Sequence, residues 1–272
     1  MRLAVGIEYA GTRYAGWQRQ DHAPSVQAEV ETALSRVADH AVQVTCAGRT
    51  DAGVHAVAQV VHFDTDAVRT LRSWVLGANA NLPNDVVVRY AVEVDDSFHA
   101  RYSALSRSYR YVVLNRPVRP AIEAHRVAWI IEPLDVGRMR EGARHLVGEH
   151  DFSAFRAAQC QSKSPVRRVS EFAIEQDGPH IVFRVTANAF LHHMVRNLVG
   201  TLLAVGTGEQ QPEWVLRVLQ NRVRADAGVT APAGGLYLAG VRYPPGYGVG
   251  SAEDGPDSAM MPPPVPPASR WP

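Results

Sequence analysis

Apolar residues along this chain follow two periods. An apolar, β-rich run, Arg2 to Tyr9 (RLAVGIEY), reads as a strand, and a loop containing Gly and Trp, AGTRYAGWQRQ, follows it. Val26, Val30, Leu34 and Val37 recur at helical spacing behind Ser25, a candidate N-cap. Two alternating runs come next, HAVQVTC and HAVAQVVHF, separated by AGRTDAGV. A helix is predicted over Ala67 to Asn79 with Val68, Leu71 and Val75 on one face, and NDVVVRYAVEV reads as a strand. The second half repeats this order without repeating the sequence. SRSYRYVVLN, RRVSEFAIEQ and HIVFRVTANAF read as strands, as does the closing GLYLAGVRYP. Helices are predicted over Pro133 to Val147, Phe190 to Gly206 and Pro212 to Leu219, with Gly206 a possible stop. The fold class expected is α/β (α+β), two similar mixed-sheet halves with helices on their outer faces and a cleft between them. The halves span 1–104 and 105–245. From Pro244 on, apolar periodicity is lost and half of the chain's 18 prolines occur, so 246–272 reads as a disordered tail.

Composition narrows the function classes. With 272 residues, 46% hydrophobic and 20% charged, the chain can build a substantial soluble core. No run reaches the roughly 18 apolar residues of a membrane span, and the N-terminus lacks a signal-peptide pattern, so a cytoplasmic location is expected. Two cysteines, Cys46 and Cys160, provide no disulfide framework. A net charge of +1 argues against indiscriminate coating of nucleic acid and leaves room for a local basic patch. Arg101, Arg107, Arg110, Arg116 and Arg119 fall in an acid-free interval between Asp96 and Glu123. Lys163, Arg167 and Arg168 form a second cluster.

Most familiar chemical motifs are missing. There is no phosphate-binding G-x-x-x-x-G-K-[ST], no G-x-S-x-G elbow and no C-x-x-C or H-x-x-x-H metal spacing. His192 and His193 are adjacent and on a helix would diverge by about 100°, so no metal site is expected. The link Arg49-Thr50-Asp51-Ala52-Gly53 is unusual. An ordinary turn uses the Asp and the Gly, and Gly53 can take positive φ, but a turn does not need the arginine. An arginine two residues before an acid can keep that acid ionised, and a positioned carboxylate is a nucleophile or a base.

Six ordered blocks resemble the bacterial tRNA pseudouridine synthase A family, TruA. They are YAGWQRQ, CAGRTDAGVHA, FHARYSALSRSYRYVVLN, DFSAF, FLHHMVRNLVG and TAPAGGLYL, and they span the chain to about Pro244. The resemblance implies the pseudouridine synthase fold, a basic cleft, and a homodimer without cofactor or metal. It also implies isomerisation of uridine to pseudouridine at about positions 38, 39 and 40 of the tRNA anticodon arm. No membrane and no other protein partner is implied. On the family pattern Asp51 matches the catalytic acid, and Arg196 the arginine that pairs with it. Tyr109 matches the tyrosine that stacks on the flipped base, and Arg49 a motif arginine near the cleft. Arg107 and Arg110 are expected to contact phosphates. His192 stands where many members carry Tyr, and Val229 where many carry Pro; neither is expected to touch the acid. Attack on C1′, attack on C6 and removal of the 2′ proton all remain open for Asp51. A synthase with broader or shifted RNA targets, a tRNA-binding factor that does not need Asp51 and an RNA N-glycosylase using the same acid are the alternatives.

Overall fold

The computed structural model describes residues 1–249. Strands β1 (Arg2–Tyr9), β2 (Thr45–Cys46), β3 (His55–Asp64) and β4 (Val86–Val94) come from the first half, with helices α1 (Val26–Ala38) and α2 (Leu71–Asn81). The second half contributes β5 (Ser106–Asn115), β6 (Ala128–Ile130), β7 (Gly148–Asp151), β8 (Val166–Asp177), β9 (His180–Ala187) and β10 (Leu236–Arg242). Its helices are α3 (Val136–Arg144), α4 (Met194–Gly206) and α5 (Glu213–Asn221). The mixed α/β class is therefore as expected, but the halves share a single ten-stranded sheet, ordered β4-β1-β3-β10-β5-β9-β8-β7, with β2 on β3 and β6 on β5.

The last strand joins the halves. β10 pairs parallel with β3 (Tyr237 with His55, Leu238 with Ala56) and antiparallel with β5 (Leu238 with Tyr109). Tyr109 thus lies two strands across from the start of β3, about 10 Å away laterally. The loop that carries Asp51 leads into that start.

Side chains alternate across β3 as the pleat requires. Phe63 packs edge-on against the fully buried Trp74 of α2, with ring centroids 5.3 Å apart. His62, on the other face, meets Phe98 at 6.0 Å. Burying a side chain of this size contributes about 2–3 kcal/mol.

Four expectations are corrected. Of HAVQVTC only Thr45–Cys46 pairs with a strand. The earlier amides are satisfied by α1 instead: Val42 N donates to Ser35 Oγ, and Val44 N to the buried carboxylate of Glu31. The fully buried residues of α2 are Trp74 and Ala78; Val75 packs half-buried beside them, whereas Val68 and Leu71 are exposed. Thr70 Oγ1 caps Ser73 N, starting the helix after Val68, which is 83% exposed. Ser25 occupies the N-cap of α1 but makes no capping bond. Finally, ordered packing continues past residue 245. Pro245–Tyr247 forms a single 3-10 turn, Tyr247 meets Phe98 at 5.1 Å, and Val249 is buried. The rest of the expected tail lies outside the described residues.

Candidate active site

Asp51 sits in the link between β2 and β3, and neighbouring segments hold that link from several sides. Gln59 reaches back from β3, its Nε2 donating to Gly48 O at 2.6 Å. Tyr9 Oη and Thr50 Oγ1 are 2.7 Å apart in the core. Trp17 N donates to Thr50 O, and Gly53 N to Tyr14 O, so the YAGWQ loop lies directly against the acid loop. Gly16 makes this approach possible. Its φ is +109°, and a Cβ there would stand 2.7 Å from Thr50 O. Gly53 takes φ +77°.

The second half supplies the surroundings of the carboxylate. Arg196, in the first turn of α4, places Nη1 3.4 Å from Asp51 Oδ2. Its Nε donates to Ala231 O at 2.8 Å, which fixes the guanidinium on the 228–231 segment. That segment is itself docked on α4. Thr230 Oγ1 and Arg224 Nη2 donate to Asn197 Oδ1, while Asn197 Nδ2 donates to Phe155 O. Asp51 is 20% exposed and Arg196 15%, so a guanidinium charged at any physiological pH faces the acid under partial burial.

The two histidines differ from the sequence expectation. α4 begins at Met194, so His192 and His193 precede the helix. His193 has φ +61°, a left-handed conformation uncommon without glycine. The consecutive rings lie 4.1 Å apart rather than diverging. His192 Nε2 is 3.2 Å from Asp51 Oδ1, and His193 Nε2 is 3.4 Å from Oδ2. The expectation that His192 does not touch the acid is therefore overturned. Burial lowers the pKa of His193 despite the opposing pull of Asp51. The helical pattern carried no signal for this contact, because His192 and His193 lie ahead of α4 and the left-handed His193 sets where their rings go.

Tyr109 is buried on β5, its ring edge-on to Phe190 at 5.0 Å. Burial first, and then the negative charge of Asp51, hold its hydroxyl above the usual phenol range. The remaining sequence-predicted arginines divide. Arg49 is exposed and makes no ion pair with Asp51, so the cation beside the acid is Arg196 and not the arginine two residues away. Arg107 makes five hydrogen bonds to the carbonyls of Ala47, Ala104, Arg101 and Asn188. With all five N–H groups committed, it braces the start of the acid loop and has no donor left for a phosphate. Arg110 neighbours Tyr109 on the strand and so faces the opposite side of the sheet. Its guanidinium lies over the Tyr237 ring at 5.0 Å.

A family model described as tRNA pseudouridine synthase matches residues 6–103 and 143–244. This chain belongs to the tRNA pseudouridine synthase family. Among curated relatives, a tRNA pseudouridine synthase A of Methylococcus capsulatus is 57% identical over 249 residues, 92% of each chain. One from Tolumonas auensis is 53% identical over 256 residues, covering 94% of this chain and 98% of the relative. One from Coxiella burnetii is 54% identical over 246 residues, covering 90% and 94%. Both matched segments contribute to the site: the first contains Asp51, and the second His192, His193 and Arg196. Tyr109 falls in the interval between them.

Proposed function

We propose that this chain isomerises uridine to pseudouridine in the anticodon stem-loop of tRNA, at about positions 38, 39 and 40, with Asp51 as the essential acid. The observation that carries the reading is a carboxylate presented by a braced loop, faced by Arg196 and close to Tyr109. The reaction breaks N1–C1′ and forms C5–C1′. C5 then loses its proton and N1 gains one, so nothing is added or removed overall. Arg196 orients Asp51 and balances its charge. A uridine flipped from its stem costs about a few kcal/mol, and stacking on an aromatic ring returns about 1–3 kcal/mol, the role assigned to Tyr109. Arg49, exposed beside the acid, is assigned to the RNA backbone.

The enzyme works in the cytoplasm as a homodimer, with the halves 1–104 and 105–245 forming the walls of the RNA-binding cleft. Among the described residues no helix is long and apolar enough to cross a membrane, which is compatible with that location. The test is tritium release from tRNA labelled at uridine C5, with wild type and Asp51→Ala in parallel. Release by the wild type alone is expected. No release by the wild type from anticodon arms it binds overturns the isomerase reading. Free uracil in the product would point to a glycosylase.

A further inference from the structure

Around Asp51 the chain gathers more ligand chemistry than an acid with one arginine partner requires. The carboxylate and the imidazole nitrogens of His192 and His193 offer atoms that all lie within 4.8 Å of one another. We propose that these three residues bind a borderline-soft divalent cation, best matched by Zn2+, and that the bound ion silences the enzyme reversibly by occupying Asp51. Binding follows from the donor set alone; the silencing rests on the catalytic role proposed for Asp51.

Two nitrogens and a carboxylate oxygen suit Zn2+ rather than Mg2+, which prefers oxygen ligands. Tetrahedral bonds of about 2.0–2.1 Å place ligand atoms about 3.3 Å apart. His192 Nε2 stands 3.2 Å from Asp51 Oδ1, which matches such an edge, while His193 Nε2 stands 3.4 Å from the other oxygen, Oδ2. Among the described residues, the hydrogen bond that Asp51 accepts at its carboxylate comes from Arg196, so neither imidazole contact has the directed geometry of a hydrogen bond. The His193 backbone conformation brings both rings to the same carboxylate. The rings are about one-third exposed, so small rotations can close the His–His edge and a fourth position remains open to water. Arg196 opposes the ion, but it approaches Oδ2 and is tied to Ala231. The ion therefore takes the Oδ1 side, next to His192, and the partly exposed His193 ring turns from Oδ2 toward it. That repulsion makes the site weaker than a structural zinc site.

The other close imidazole pair, His62 and His99 at 4.7 Å, serves as a control. The Nδ1 atoms of both already accept backbone N–H bonds, from Ala100 to His62 and from Arg101 and Tyr102 to His99.

The experiment titrates Co2+ into chelator-stripped, full-length protein and follows its visible d–d absorption, with Zn2+ as competitor. Wild type, Asp51→Asn, His192→Phe and His99→Gln are compared, folding being checked by circular dichroism. One ion per chain is expected, at least tenfold weaker in Asp51→Asn and His192→Phe and unchanged in His99→Gln. Saturating tRNA should displace the ion from the wild type, a measurement that needs no variant. Zn2+ should stop tritium release, and EDTA should restore it. Absence of binding at hundredfold excess of metal, or equal binding by Asp51→Asn and His192→Phe, overturns the site. Binding with full turnover overturns the silencing alone. An Asp51→Ala enzyme that still releases tritium refutes the catalytic role and leaves the binding data standing.

Discussion

Replacing Arg196 with Met isolates what its charge does for Asp51. At 3.4 Å two unit charges attract by about 5 kcal/mol at an effective dielectric of about 20, and by about 1 kcal/mol in water. With 15% and 20% of the side chains exposed, the pair falls between these limits, at about 2–4 kcal/mol. The substitution also removes the bond to Ala231 O, worth about 1.5–3 kcal/mol for a charged donor. A double-mutant cycle with Asp51→Asn cancels that second loss, because the tether is the same in both backgrounds. Urea unfolding of the four proteins at about pH 8, above the ordinary imidazole range, should give a coupling of about 2–4 kcal/mol. The same interaction, if it orients the acid for reaction, lowers turnover of Arg196→Met by roughly 30- to 1,000-fold. Arg196→Lys should recover part of the coupling and less of the turnover, since a point charge cannot hold Ala231 and Asp51 together. Effects that add within about 0.5 kcal/mol would refute the pairing argument.

Tyr109→Phe should retain stacking and keep most of kcat/KM, whereas Tyr109→Leu should lose about 1–3 kcal/mol, read as a 5- to 150-fold drop. Gly200→Ala would put a Cβ 1.7 Å from Val229 O. The 228–231 segment must then move and take the Arg196 anchor with it; we expect a loss of at least ~3 kcal/mol in thermal unfolding together with lost tritium release. Burial pushes the pKa of His62 down to about 4, below the ordinary 6.5. The unfolded chain therefore binds the extra proton first, and the stability due to neutral His62 is complete above pH 6.5 and lost as pH falls toward 4. The loss is up to ~1.4 kcal/mol per pH unit, and His62→Gln should flatten that slope in denaturant titrations.

Local sequence determined much of this protein. Period-two and period-3.6 patterns located most strands and helices, because burial of one face imposes them whatever the partner is. The Arg-Thr-Asp-Ala-Gly link drew attention to Asp51, since a turn alone does not explain its arginine. The family blocks marked Tyr109 and Arg196 as well. Tertiary structure decided what those patterns could not carry. That β10 closes the sheet between β3 and β5, bringing the acid loop to Tyr109, depends on pairings across 125 or more residues. The separate jobs of Arg107 and Arg110 turn on which face of β5 each occupies and which carbonyls lie within reach. His192 and His193 reach Asp51 only through a left-handed residue ahead of α4, a conformation that nothing in the local pattern favours. Periodicity reports which face of an element is buried. It contains no information on the distance between side chains 141 residues apart, which is set by the path of the chain through the sheet.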